Sequence, residues 1–415
     1  MDKLAEFVSQ HMSDDTARLI MNRSKWPEID MDLAVNCIES RKKLKGKVME
    51  WYENPSLIFP FKLSAEQCSS SATGRHKVRT AYRIAMTGGS EEDSIRGWKI
   101  ADLTGGLGVD SWFLSRHAGE VLYNEMQTRL CEAAAHNFKA LGADNIRISN
   151  RIAEKGCIGE ILEDFRPDIV YMDPARRGEG GKKVFLIEEC TPDVLTLKEE
   201  IFSYARHILI KLSPMADITM VCSRLGSTCR EVHAVASGKE CKELLIWMDR
   251  EWDGGYTITA SELNEEGSDD FTFSPEEEKS AVPQIFTESS AAPGNYLFEP
   301  GKAMMKAGAF NLISQRFNIR KLGRSTHYYI TEDKEKASRL EGFGKVYEIV
   351  RCEPLDKRSM KAAGKDFPKA EVTARNIPMD TDTLRKKMGV TSGDDAHIFG
   401  LKSDCAGNLL LVTRR

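Results

Sequence analysis

What this 415-residue chain lacks narrows it before any motif does. No uninterrupted apolar run approaches the roughly 20 residues a membrane helix needs, so no membrane span is expected. The opening residues, MDKLAEFVSQHMSDD, are acidic and interrupted, unlike a secretion signal, which points to a cytoplasmic location. The 10 cysteines form no CxxC pair and no ligand spacing with histidine. No metal site is therefore expected, and scattered thiols suit a reducing compartment. No internal repeat or coiled-coil pattern is present. Aromatic residues make up 8% of the chain and are sparse among the basic ones, which argues against a surface that stacks single strands. A dominant charge is missing too, with 59 basic and 63 acidic residues for a net −4. That balance hides an uneven layout, because Ser261 to Ser290 holds nine acids and one lysine, leaving the rest at +4. A mildly basic body is compatible with nucleic acid without demanding it. The acids of 261–290 read as the solvated face of an exposed hairpin or linker.

What is present describes a globular protein with more than one core: 41% hydrophobic and 29% charged residues. The reading divides the chain into a helical region (1–74), an α/β domain (75–250), the acidic hairpin or linker (251–294), a small α+β connecting segment (295–340) and a small α+β tail (341–415). In the first region apolar residues recur at helical spacing, with Asp14 and Asp15 available as caps. The polar stretch Glu66–Lys77, EQCSSSATGRHK, enters a helix and is suited to lie over a bound ligand. Strands are expected at Trp98–Leu103, Glu120–Asn124, Ile146–Ser149, Asp168–Met172, His207–Leu212, Glu231–Ala236 and Leu244–Asp249. Helical segments separate the first five, which predicts a parallel sheet wound on both faces; the last two read as an antiparallel pair. Beyond Arg250, Trp252–Ala260 and Asp270–Phe273 read as strand pieces and Leu297–Phe310 as a helix. The final 75 residues carry fourteen basic and eleven acidic residues, a net +3.

The stretch around which the α/β domain is organised is Lys99-Ile100-Ala101-Asp102-Leu103-Thr104-Gly105-Gly106-Leu107-Gly108-Val109-Asp110. Strand, glycine turn and helix follow one another, and glycines there let a ligand approach the main chain. The spacing is GGxG, not the GxGxxG of dinucleotide folds, and Asp102 stands just before the turn. A pyrophosphate would be repelled by that carboxylate, whereas the ammonium and sulfonium of S-adenosylmethionine would be attracted. About twenty residues on, Glu125 closes the second strand at the position from which an acid grips ribose hydroxyls. The fourth strand ends in Asp173-Pro174-Ala175-Arg176-Arg177, so Asp173 would face the first turn across the sheet's switch point. Lys211 and Ser213, at the end of the fifth strand, are candidates for the substrate side.

Together, DLTGGLGVD, Glu125 and DPAR resemble motifs I, II and IV of class I S-adenosylmethionine-dependent methyltransferases. More narrowly the chain is similar to bacterial methyltransferases with a C-terminal THUMP-like domain. The matching stretches are EQCSSSATGRHK, IADLTGGLGVD, VYMDPARR, IKLSPMADI, FPKAEVTARNIPMDTDTLRKKMG and DDAHIFGL. The resemblance implies a doubly wound, seven-stranded Rossmann-like sheet with an N-terminal helical region and a small C-terminal α+β domain. It implies S-adenosyl-L-methionine as cofactor, bound by Asp102, the main chain at Thr104, Gly105, Gly106 and Gly108, Glu125, Met126 against the adenine, and Asn150 at the third strand's end. Asp173 and Pro174 correspond to the loop that accepts the protons of an exocyclic base amine, with Arg176 where that loop carries an aromatic. Carbon-5 pyrimidine chemistry needs a cysteine after the fifth strand, and Lys211-Leu212-Ser213-Pro214 has none. The implied function is methylation of RNA, at a base nitrogen, with Lys211, Ser213, Arg177, Arg385, Lys386 and Lys387 on the substrate side. The alternatives are methylation of a protein or small molecule, or a non-catalytic RNA-binding protein that retains the cofactor fold.

Overall fold

The strand–helix alternation of the first half and the strand-rich second half each close on their own core. The computed structural model of the chain describes residues 3–87, 94–176, 186–265, 267–287 and 291–415. Two compact units form, one of Met1–Val232 with Lys242–Tyr256, the other of His233–Cys241 with Thr257–Arg415. The sequence reading divides the chain at 74, 250, 294 and 340; the two units part at 232, 241 and 256.

The first unit opens with helices Lys3–Gln10, Thr16–Met21, Met31–Leu44, Met49–Glu53, Lys62–Gln67 and Ser71–Met86. Asp15 caps the second by accepting the Ala17 amide, and Asp30 caps the third through Leu33. Ser70 and Thr73 form a reciprocal capping box that starts Ser71–Met86. The sheet follows, with β1 (Lys99–Asp102), β2 (Glu120–Asn124), β3 (Ile146–Ser149), β4 (Ile169–Met172), β5 (His207–Leu212), β6 (Cys229–Ser237) and β7 (Glu240–Asp249). Their order is β6-β7-β5-β4-β1-β2-β3. β1 is parallel to β2 and β4, β2 to β3, and β4 to β5, while β7 runs antiparallel to β5. Every residue of β4 is buried, as expected of a parallel strand covered on both faces. The order turns back between β1 and β4, so their carboxyl ends bound the crevice where open α/β sheets take ligands.

The second unit takes the His233–Cys241 ends of β6 and β7 and resumes at Thr257 with a hairpin, β8 (Thr257–Leu263) and β9 (Ser268–Phe273), paired from Ile258↔Phe273 to Leu263↔Ser268. Phe271 and Phe273 are buried, so this stretch is core structure with acids on its edge. Those acids have partners. Glu262 accepts the Ala303 and Met304 amides at the start of helix Lys302–Ala307, and Glu278 accepts those of Asn311 and Leu312 at the next helix. Helix starts expose unsatisfied N–H groups and a positive dipole end, which acids satisfy. The unit's main sheet contains β10 (Tyr296–Pro300), β11 (Tyr329–Thr331), β12 (Gly344–Pro354), β13 (Lys369–Arg375), β14 (Thr391–Ser403) and β15 (Gly407–Arg414). Their order is β11-β10-β12-β15-β14-β13, continued past β11 by the short strands Arg320–Lys321 and Gln284–Ile285. The helix expected over Leu297–Phe310 is strand β10 followed by Lys302–Ala307; Pro300 and Gly301 break the run. Helices Lys357–Asp366 and Thr381–Met388 bury Met360, Ala363 and Leu384 against Val372, Ile398 and Val412.

Candidate functional site

At two of the three glycines after β1 nothing larger fits. A Cβ on Gly105 would sit 2.2 Å from the Tyr123 ring, and one on Gly108 would sit 2.7 Å from Phe138. Gly108 also has φ +92°, a left-handed angle that disfavours a side chain. The Gly105 amide bonds the Asn124 carbonyl (2.8 Å) and the Tyr123 hydroxyl bonds the Gly106 carbonyl (2.7 Å), so β2 holds the turn in place. The turn walls a cavity of about 320 Å³, within the size range of small-molecule sites. Asp102, Thr104, Gly105, Gly106, Gly108, Glu125, Met126 and Asp173 all line it. Ser64 and Gln67 line it from helix Lys62–Gln67, and Cys68 and Ser69 from the turn that follows.

Asp102 is 1% exposed. It accepts from Ser111 Oγ (2.6 Å) and the Thr104 amide (3.0 Å), yet burial dominates and lifts its pKa to about 7. Glu125 takes the Gly106 amide on Oε2 (3.0 Å) and the Gln127 amide on Oε1 (2.8 Å), which fixes the carboxylate beside the turn. Met126 is 57% exposed on the cavity wall. Asn150 is not among the lining residues. Its amide donates to the Glu125 and Met126 carbonyls (2.7 and 3.1 Å) and its oxygen accepts from Thr128, so it braces the loop that carries them.

Thr104 ties the tips of β1 and β4 together: its hydroxyl contacts Asp102 Oδ1 (3.4 Å) and accepts the Asp173 amide (2.6 Å). Asp173 is half-buried and forms an ion pair with Lys211. Burial alone would lower the Lys211 pKa, but Asp173, Glu243 and Asp110 outweigh it and raise the value. A second cavity of about 400 Å³ adjoins the first; Asp173, Ala175 and Gln67 line both. Pro174, Lys211, Leu212, Ser213 and Pro214 belong to this second cavity. The backbone of Ala175–Arg176 pairs antiparallel with Cys190–Thr191. Arg177 and the Arg176 side chain lie outside the described residues.

Sequence reasoning missed three charged residues of this site: Lys77 and Glu243 behind it, and Asp110 on the wall of the first cavity. Lys77, with no exposed surface, lies 2.9 Å from Glu243 Oε1, 3.3 Å from Asp110 Oδ1 and 2.8 Å from Ser69 Oγ. Asp110 also accepts from Ser69 (2.9 Å) and Tyr171 (2.8 Å). Burial pulls Asp110 upward, but Lys77 and Lys211 carry its pKa below the ordinary value. Lys77 and Asp110 stand inside quoted motifs, GRHK and GGLGVD, where their polarity in otherwise helical runs is the available signal. Glu243, on β7, has none. Among the described residues no group of three or more His, Cys, Asp or Glu could hold a metal, and no helix is long and apolar enough to cross a membrane.

In the second unit, Arg385, Lys386 and Lys387 occupy one turn of Thr381–Met388. Arg385 is partly buried and faces Asp382 (3.5 Å) and Glu371 (4.0 Å), while the two lysines are exposed.

The sheet order, glycine turn and acidic β4 tip define the fold of a class I methyltransferase, with an N-terminal helical region and a C-terminal sheet domain. The chain carries a THUMP-like domain at its C-terminus: residues 344–415 match the family model described as THUMP domain-like, and 296–337 match one described as a ferredoxin-like domain. No significant match is found among curated proteins. Among solved structures, a Porphyromonas gingivalis W83 protein described as a candidate methyltransferase is 28% identical, covering 99% of this chain and 97% of its own, with TM-score 0.84. An rRNA methylase from Streptococcus thermophilus is 14% identical over 37% of this chain and 87% of its own, with TM-score 0.28. Precorrin-6y C5,15-methyltransferase from Geobacter metallireducens GS-15 is 14% identical over 42% and 87%, with TM-score 0.26. Those last two likenesses are partial and say nothing of substrate.

Proposed function

We propose that this chain is an S-adenosylmethionine-dependent methyltransferase acting on a base nitrogen of RNA. The observation that carries the reading is the crevice at the sheet's switch point, where Thr104 joins two acid-bearing strand tips around a glycine-walled cavity. The residues there fit the cofactor. Buried Asp102 suits an ammonium, Glu125 beside the turn suits ribose hydroxyls, exposed Met126 suits an adenine face, and Gly105 and Gly108 keep the wall open. When bound, S-adenosylmethionine supplies a methyl group activated by its sulfonium.

The chain's own part is positioning. Asp173 sits where both cavities meet and would accept an N–H of the acceptor amine, aiming its lone pair at the first cavity. Pro174 and Pro214 offer flat apolar walls to a base, and Lys211 steadies Asp173 by pairing with it. The absence of cysteine at 211–214 favours nitrogen over carbon-5 as acceptor. The THUMP-like tail, with its net +3, supports RNA as the partner.

Incubation with labelled S-adenosylmethionine and total RNA from a strain lacking the gene tests this, followed by mass spectrometry of the nucleosides. Label in a methylated base is expected; label only in protein overturns the RNA assignment. Asp173→Ala should abolish transfer while S-adenosylhomocysteine affinity stays within about twofold, and undiminished turnover would remove Asp173 from the reaction.

A further inference from the structure

Asp173 is one end of a longer run of charges. In register, Met172 is level with Ile210, so Asp173 stands beside Lys211 at the next step of the sheet. Lys211 pairs with Leu245, so Glu243, two residues earlier on β7, shares its face as a diagonal neighbour. Glu243 in turn contacts Lys77, and Lys77 contacts Asp110. The signs alternate along the run Asp173, Lys211, Glu243, Lys77, Asp110, and its last member returns to the wall of the first cavity. A buried ion pair is seldom more stabilising than apolar side chains of the same size, so packing alone does not account for Lys77 and Glu243.

We propose that Lys77 and Glu243 are positioning residues that hold Lys211 against Asp173, so that the acceptor-binding carboxylate keeps one orientation. The inference rests on the proposed function only for the acceptor role of Asp173. Lys77 fixes Glu243 from helix Ser71–Met86, and Glu243 backs Lys211 from the side away from Asp173. The groups whose charges act on Lys211 are Asp173, Glu243 and Asp110, which favour its charged form, and Lys47, which opposes it; Lys242 and the Cys68 thiol stand nearby. Removing Glu243 therefore weakens the hold on the Lys211 proton, and restoring a carboxylate returns it.

Pulse acetylation of the full chain with acetic anhydride at a fixed pH of about 9, read at Lys211 by mass spectrometry, tests the link without a substrate. In Glu243→Gln the rate of Lys211 labelling should rise about tenfold, and Glu243→Asp should restore it. S-adenosylhomocysteine affinity should stay within twofold, while kcat for label transfer into total RNA falls at least tenfold with little change in KM. Should Glu243→Gln fail to fold, the double variant Lys77→Met/Glu243→Leu, which removes both charges of the pair and leaves Asp110 with Lys211, should show the same changes. An unchanged Lys211 labelling rate in a folded variant overturns the proposal. A raised rate with no transfer to RNA by the unaltered protein sustains it and overturns the proposed function instead.

Discussion

At Asp102, folding moves a carboxyl from water into a site where Ser111 and Thr104 do not fully replace the solvent, and its pKa rises from 3.8 to about 7. The folded chain thus holds a proton that the unfolded chain releases, so stability falls as pH rises through about 4 to 7, by at most ~1.4 kcal/mol per unit. Asp102→Asn should remove that slope; urea unfolding at pH 5 and pH 8 checks it, and an unaltered slope would contradict the assignment. The ammonium of a ligand beside Asp102 favours the ionised form, so S-adenosylhomocysteine should bind more tightly at pH 8 than at pH 6, and equally at both in Asp102→Asn. Lys77 makes the opposite case, a buried cation between two carboxylates. Lys77→Met alone leaves Asp110 and Glu243 to share the one cation Lys211 and should cost about 3–5 kcal/mol in denaturant unfolding. A loss below 1 kcal/mol would mean that water or another cation takes its place.

The turn after β1 is the element on which the cavity depends. Gly105→Ala drives a methyl into the Tyr123 ring and should destabilise the fold by about 1–3 kcal/mol, with loss of S-adenosylhomocysteine binding. Wild-type affinity in that variant would show that the turn does not shape the site. This element was legible because its determinants are local: an apolar strand, an acid, three glycines, a helix. The strands were legible for the same reason, and β2 and β3 lie at their expected residues. Leu297–Phe310 was not, because its apolar spacing fits both periods and only Pro300-Gly301 marks the break. Nor was the partnership of Lys77 with Glu243, which joins residues 166 positions apart through sheet register that no local pattern encodes. Asn150 reads as a ligand by its place after β3; its role as a brace depends on a carbonyl pair that only the folded loop presents.

Across the whole molecule, charge is divided by role. Acids of 261–290 cap helices of the second unit, while the basic surplus of the tail includes Lys386 and Lys387 on an exposed helix turn. If RNA docks there, replacing Arg385, Lys386 and Lys387 with glutamine should weaken binding and reduce the salt slope by about 0.7–0.9 for each phosphate no longer neutralised. The two lysines should carry most of the effect, since Arg385 already faces Asp382 and Glu371. An identical slope would return the helix to a solvated face. The central claim is that the glycine-walled crevice between Asp102 and Asp173 holds S-adenosylmethionine, and calorimetric titration with that cofactor tests it most directly. The account predicts one site per chain, weakened at least tenfold by Glu125→Ala; no heat of binding at millimolar ligand would contradict it.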